Sequence, residues 1–259
     1  MPLYYSLNGS KTQPVLLLLH GFMGNSNDYR EVIPQLSAKF CCLAVDLPGH
    51  GQTKIAGEDD RYSMPNTARA LISLLDELEI ERCFLAAYSM GGRLALYLLL
   101  HFPERFEKAV LESASPGLKT AAERELRRQR DRQLAEKLET GDFQEFLLNW
   151  YRQPLFQSSA ARPDFEELIA RRLENNPHLL AKSLRNMGTG NQPSLWEKLA
   201  DNKVPLLLLV GEKDDKFRAI NTEMAGLSPL ARMAIAPNTG HNIHFENHTY
   251  YVEILNFEF

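Results

Sequence analysis

Ser89 stands in the stretch LAAYSMGGRLALYLL (Leu85 to Leu99), at the point where an apolar, strand-like run gives way to a helix-like one. The residues around it read Ala87-Tyr88-Ser89-Met90-Gly91, the G-x-S-x-G pattern with alanine in the first glycine's place. In that pattern the serine occupies a strained strand-to-helix turn, small neighbours keep the turn free of clashes, and the hydroxyl is held out toward a substrate. A serine that only caps the helix is the plainer alternative. A hydroxyl by itself is a weak nucleophile or base, and it needs an imidazole fixed in one tautomer by a carboxylate. Both partners occur downstream. Asp214 follows VPLLLLVGEK and His241 follows MAIAPNTG, each just past a strand-like run. Asp215 stands beside the first, and His244 and His248 stand near the second, as rivals for the same roles. Backbone donors for developing negative charge are the N–H of Met90, next to the serine, and the N–H of Phe22, in the turn that closes LLLLHGFMG.

These residues need a scaffold. The runs PVLLLLHGF, FCCLAVDLPGHG, RCFLAAYS, FEKAVLESASPG, VPLLLLVGEKD and ARMAIAPNTGH are continuously apolar and closed by turn residues, as expected of parallel strands buried on both faces. Helical spacing lies between them, as at Met64 to Ile80, where Ala68, Leu71, Leu75 and Leu78 recur on one face. Strand, helix, strand alternation predicts an α/β fold with a mostly parallel central sheet flanked by helices. The alternation lapses after SASPGL and resumes near PSLWEKLADNKVPLLLLV. This predicts a core of residues 1–117 and 193–259 with an all-helical cap, 118–192, inserted in it.

Composition narrows the partners. A chain of 259 residues with 44% hydrophobic and 24% charged residues reads as a soluble globular protein, and a net charge of −4 argues against general nucleic-acid binding. No apolar run approaches the roughly 20 residues needed to span a bilayer, and MPLYYSLNGSKTQ has no signal-peptide pattern, so the reading is cytosolic. The three cysteines, two of them adjacent, suit buried thiols better than a disulfide framework or a zinc site. No metal motif, P-loop or dinucleotide fingerprint occurs, so neither metal nor cofactor is expected. The expected partner is a small molecule, bound by a monomer or weak homo-oligomer.

HGF, DLPGHG, the Ser89 turn, GEKD and GH stand in an order that resembles the α/β-hydrolase superfamily over nearly the whole chain. YSMGGR, SASPGLKTAAERELRRQRDRQLA, NWYRQPLF, SLRNMGTGNQPSLWEKL and GEKDDKF further resemble the 2-succinyl-6-hydroxy-2,4-cyclohexadiene-1-carboxylate synthases of menaquinone and phylloquinone biosynthesis. That resemblance covers the insertion as well as the core. It implies a lyase that eliminates pyruvate from a cyclohexene polycarboxylate. It also implies Ser89, Asp214 and His241 as catalytic residues, Phe22 and Met90 as the oxyanion hole, and Tyr88, Arg93, Arg127, Trp150 and Arg172 as substrate-binding residues. Arg171 competes with Arg172 for the last position. Ser89 would then move a proton and form no acyl-enzyme, and the two N–H groups would stabilise enolate-like charge on a substrate carboxylate.

Other readings stay open at this point. A hydrolase of esters or C–C bonds would use the same triad, and a ligand receptor on this fold would keep it without turnover. Residues 123–139 hold six basic and five acidic side chains, so the helix bearing Arg127 also reads as a salt-bridged, solvated face. Trp150 reads equally as a packing residue. Cations matter to the choice, because a substrate with several carboxylates needs planar guanidinium forks and a neutral ester does not.

Overall fold

Val15 to Leu19 forms strand β2, and all four of its leucines are fully buried, as a run with no polar alternation requires. The computed structural model, which describes residues 1–55 and 59–259, sets it in a seven-stranded sheet. The other strands are β1 (Tyr5–Asn8), β3 (Cys41–Val45), β4 (Cys83–Tyr88), β5 (Phe106–Glu112), β6 (Leu206–Gly211) and β7 (Ala231–Ala236). Their order is β1-β3-β2-β4-β5-β6-β7, and only the β1–β3 pair is antiparallel.

Alternate residues of each strand feed different layers, because successive side chains leave a strand on opposite faces. Leu17, Leu19, Leu43, Val45, Leu85, Ala87 and Leu208 pack with α2 (Met64–Glu77), α3 (Met90–His101) and α9 (Asp215–Leu227). Leu16, Leu18, Ala44, Ala86, Val110 and Leu207 pack with α1 (Ile33–Leu36), α10 (Ile243–Glu246) and α11 (His248–Glu258). Helix α2 stops at Glu77, short of Ile80, where Glu79 turns the backbone to a positive φ of 58°.

Between β5 and β6 lie α4 (Ala121–Thr140), α5 (Phe143–Tyr151), α6 (Gln157–Ala160), α7 (Phe165–Leu173) and α8 (Pro177–Met187). They share a separate apolar cluster that includes Leu138, Leu147, Leu168 and Leu180, joined by Met23 from the turn after β2. Local sequence fixes the helix starts. Thr120 and Glu123 form a reciprocal capping box on α4, Asp142 accepts the Glu145 N–H at α5, and Asn176 caps α8 ahead of Pro177.

The connections from β2 and β4 leave the sheet in opposite directions, so a crevice opens above the carboxyl ends of these adjacent parallel strands. The turn carrying Phe22 follows β2 and Ser89 follows β4. Cys41, Cys42 and Cys83 are free and buried, and burial pushes the Cys42 and Cys83 thiols up to about 12. Among the described residues no helix is long and apolar enough to cross a membrane.

Candidate active site

Ser89 has φ 50° and ψ −103°, a conformation rarely adopted by a residue with a side chain. Three contacts hold it there. Its N–H donates to the Glu112 carbonyl at 2.9 Å, the Gly91 N–H donates to the His20 carbonyl at 3.1 Å, and the Arg93 N–H donates to the Ser89 carbonyl at 2.9 Å. The glycine requirement after the serine is steric. A Cβ on Gly91 would sit 2.4 Å from the Leu19 carbonyl oxygen, whereas Ala87 fits, fully buried, where the common pattern has glycine.

The Ser89 Oγ lies 3.0 Å from His241 Nε2, and His241 Nδ1 lies 2.6 Å from Asp214 Oδ2. A carboxylate only accepts, so Nδ1 carries the proton and Nε2 is left to accept from the serine hydroxyl. His241 and Asp214 are both buried. The loop after β6 needs Asp214 for a second reason, since its other oxygen caps α9 by accepting the Phe217 N–H at 3.2 Å. The rivals stand elsewhere. Asp215 is exposed and pairs with Arg218, His244 pairs with Glu112, and His248 opens α11.

Phe22 and Met90 line the cavity beside Ser89. The turn bearing Phe22 is fixed by His20, whose Nε2 accepts the Leu47 N–H at 2.9 Å and whose Nδ1–H therefore donates to the Gly21 carbonyl at 2.7 Å. Burial lowers the His20 pKa and keeps the ring neutral in this role. A Cβ on Gly21 would lie 2.6 Å from the Tyr88 ring, so this turn and the serine turn approach too closely for any larger residue.

The cavity, about 240 Å³, extends from the triad toward α4, α5 and α8. Arg93, Arg127 and Trp150, three of the five residues that the resemblance gives as substrate-binding, line it. Arg93 donates to the Met187 carbonyl and to Gln192 Oε1, at 3.0 and 2.8 Å. Burial, with the Arg127 charge adding to it, pulls Arg93 down to about 10, still protonated at neutral pH. Arg127 is gripped at Nε by Asp131, 2.6 Å away, while its neighbours Arg128 and Arg132 pair with Glu125 as a solvated helix face does. Both readings of that helix therefore apply, to different sides of it. Trp150 also packs against Phe22 at 5.5 Å and Phe146 at 6.0 Å, so it lines the cavity and supports its wall together.

Two expected ligands lie outside the cavity lining. Tyr88 is buried with its ring against His241 and His244, at 5.4 and 4.9 Å. Arg172 is 2% exposed and grips Asp28 with two hydrogen bonds of 2.5 and 2.9 Å, while its Nε donates to the Tyr151 hydroxyl. With its donors engaged inside the protein, Arg172 is a structural cation in this conformation. Arg171 does not line the cavity either.

Three features of the site carry no sequence motif. Arg130 and Lys216 line the cavity as further cations. Glu112, fully buried at the end of β5, accepts the Ile243 and His244 N–H groups at 2.5 and 3.2 Å and the His244 Nδ1–H at 2.7 Å. Its carbonyl meanwhile holds the Ser89 N–H, so one residue braces both the serine turn and the chain just past His241. An acidic residue closing the buried, apolar second half of a strand, in AVLES, is the one signal that marked it.

The site's setting is shared with known proteins. The family model for the alpha/beta hydrolase fold matches residues 14–248. A Bacillus subtilis (strain 168) relative, whose name gives it provisionally as a 2-succinyl-6-hydroxy-2,4-cyclohexadiene-1-carboxylate synthase, is 38% identical over 92% of this chain and 87% of its own. The synthase of that name from Serratia proteamaculans (strain 568) is 36% identical over 96% of this chain and 94% of its own. Among solved structures, MenH from S. aureus superposes with a TM-score of 0.93 at 34% identity, covering 98% of this chain and 97% of that one.

Proposed function

The chain belongs to the α/β-hydrolase fold family and, within it, to the 2-succinyl-6-hydroxy-2,4-cyclohexadiene-1-carboxylate synthases, and from that premise we propose a lyase mechanism run by Ser89, His241 and Asp214. Its role is in menaquinone or phylloquinone biosynthesis. The reaction converts 2-succinyl-5-enolpyruvyl-6-hydroxy-3-cyclohexene-1-carboxylate to the 2,4-diene and pyruvate, in the cytoplasm. Residues 118–192 serve as the cap over the core.

The change in the ring defines the steps. Turning a 3-ene with a leaving group at C5 into a 2,4-diene removes the proton from C2. The C2–H electron pair becomes the C2=C3 bond, the C3=C4 pair becomes C4=C5, and the C5–O bond breaks with its pair going to the enolpyruvyl oxygen. Enolpyruvate then takes a proton at carbon to become pyruvate. Ser89, relieved of its proton by His241 with Asp214 behind it, takes the C2 proton. The carbonyl next to C2 belongs to the succinyl group, so the transient negative charge falls on that oxygen rather than on a carboxylate. The N–H groups of Phe22 and Met90 stabilise it there, and losing one such donor costs about 3 kcal/mol of barrier.

One observation carries this reading: the Ser89-His241-Asp214 relay opens onto a cavity lined by four cations, Arg93, Arg127, Arg130 and Lys216. A substrate with three carboxylates needs such a lining. The deciding assay supplies that substrate and follows pyruvate release and diene absorbance together. Equal appearance of both is expected. Silence there with turnover of a simple ester would make the protein a hydrolase, and an acyl-serine trapped during turnover would overturn the proton-transfer role of Ser89.

Arg93→Ala removes a charge-assisted hydrogen bond to a carboxylate in a partly desolvated site, worth about 1.5–3 kcal/mol. The expected result is a rise in KM of about tenfold or more, with a smaller fall in kcat. Unchanged KM and kcat would take Arg93 out of substrate binding.

A further inference from the structure

Arg130 lines two adjacent spaces. One is the cavity at Ser89. The other is a groove of about 400 Å³ between α4 and α5, which shares Arg130, Leu134, Trp150 and Gln153 with the first and adds Lys137 together with Asp142 and Glu145, whose carboxylates favour release of an anion over its retention there. Lys216, at the start of α9, lines the inner cavity with Arg130. Both side chains are exposed, and neither forms an ion pair among the described residues. Lys216 only leans over the Phe217 ring, at 5.6 Å. The cavity wall partly desolvates the Lys216 ammonium although the side chain as a whole is exposed, and this, with the charges of Arg127 and Arg130 and against the pull of Asp214, lowers its pKa, as expected of cations that face one another across the cavity.

The ring chemistry says which anion belongs there. C2 and C5 stand opposite each other in a six-membered ring, so a C2 proton delivered to Ser89 turns the C5 substituent away from the triad, toward the opening. We propose that Arg130 and Lys216 form the subsite for the carboxylate of the departing enolpyruvyl group, and that the groove between α4 and α5 is the exit path for pyruvate. This rests on the lyase reading above and adds to it the place and direction of product release. It also divides the cations between two roles, with Arg93 and Arg127 holding the carboxylates that stay on the ring and Arg130 and Lys216 holding the one that leaves.

Pyruvate itself is the probe. In the wild type, pyruvate is expected to inhibit turnover and to show binding by ligand-observed NMR of its methyl group. In Arg130→Gln and Lys216→Gln, pyruvate affinity should fall about tenfold each, KM should rise similarly, and inhibition by the diene product should stay within about twofold. Arg130→Lys and Lys216→Arg should recover most of the loss, which a merely structural role would not predict. Lys39→Gln, an exposed lysine outside the cavity, should leave pyruvate affinity unchanged. Pyruvate affinity equal in wild type and both Gln variants overturns the subsite. Diene inhibition weakened as much as pyruvate inhibition also overturns it, since the pair would then serve a ring carboxylate. Failure of the wild type to release pyruvate sinks the lyase reading separately, while the NMR comparison still judges the anion subsite.

Discussion

Ser89→Ala is expected to lower kcat by at least about 10³-fold and to leave substrate affinity within a fewfold of wild type, since losing a triad member typically costs about 10⁴-fold or more. The change removes only the Oγ. The backbone contacts that hold φ at 50° come from Glu112, His20 and Arg93 and survive it. The cavity keeps all four cations, so the carboxylates still have their partners. His241 keeps its tautomer through Asp214, but with the Oγ gone it has no hydroxyl to deprotonate, and the oxygen proposed to take the C2 proton is absent. Isothermal titration with the diene product, set beside stopped-flow turnover, separates the two effects. Turnover within a fewfold of wild type would remove Ser89 from the chemistry.

Arg172→Met is expected to cost about 3–5 kcal/mol of stability, because it strands the Asp28 carboxylate in the interior. Arg172 and Asp28 are each 2% exposed at the side chain, and their two-pronged pair joins α7 to the turn after β2. Replacing both residues, with Asp28→Asn added, should recover a large part of that loss, since no buried charge then remains. The pH dependence gives a second signature. Burial alone would raise the Asp28 pKa, and the charge and hydrogen bonds of Arg172 more than reverse this, so the folded value lies below the ordinary 3.8. A group with a depressed folded pKa gives its full stabilisation above the unfolded value and loses it as pH falls through the folded one. The pair's share of wild-type stability is therefore constant from about pH 5 to 7 and declines only in stronger acid. In Arg172→Met the sign inverts: the stranded carboxyl titrates upward, so that variant becomes less stable between pH 4 and 7. Urea melts at pH 4, 5.5 and 7 test this. A parallel response of variant and wild type would show that Asp28 is solvated and the pair is not the anchor described here.

The parts of the site set by strand ends were legible in the sequence. Ser89 and Asp214 each follow a continuous, buried apolar run. His241 follows β7, which carries Arg232 and is only partly buried because it is the edge strand, yet a parallel sheet delivers all three strand ends to one edge whatever the intervening loops do. Arg93 and Arg127 were legible only through the family resemblance and Arg130 was missed, because which cation of α4 faces the cavity depends on the azimuth of a helix whose charges surround it. Arg127 and Arg130, three residues apart, share the cavity side of α4, while Arg128 and Arg132 turn to Glu125. Arg172 matched the family pattern, yet its fate was decided by Asp28, 144 positions earlier in the chain. Glu112 was hidden for the same reason, since the amides it braces lie 131 and 132 positions away.

Glu112 joins the two halves of the relay mechanically. Its carbonyl carries the serine turn and its carboxylate carries the chain just past His241, so a displacement of one is transmitted to the other through three covalent bonds of side chain and not through the solvent-facing loops. The α4–α8 helices do not supply this strut. The doorway of the enzyme and the spacing of its working parts are consequently separate design variables: the first can be re-cut for a bulkier or differently charged substrate while the second stays in tune.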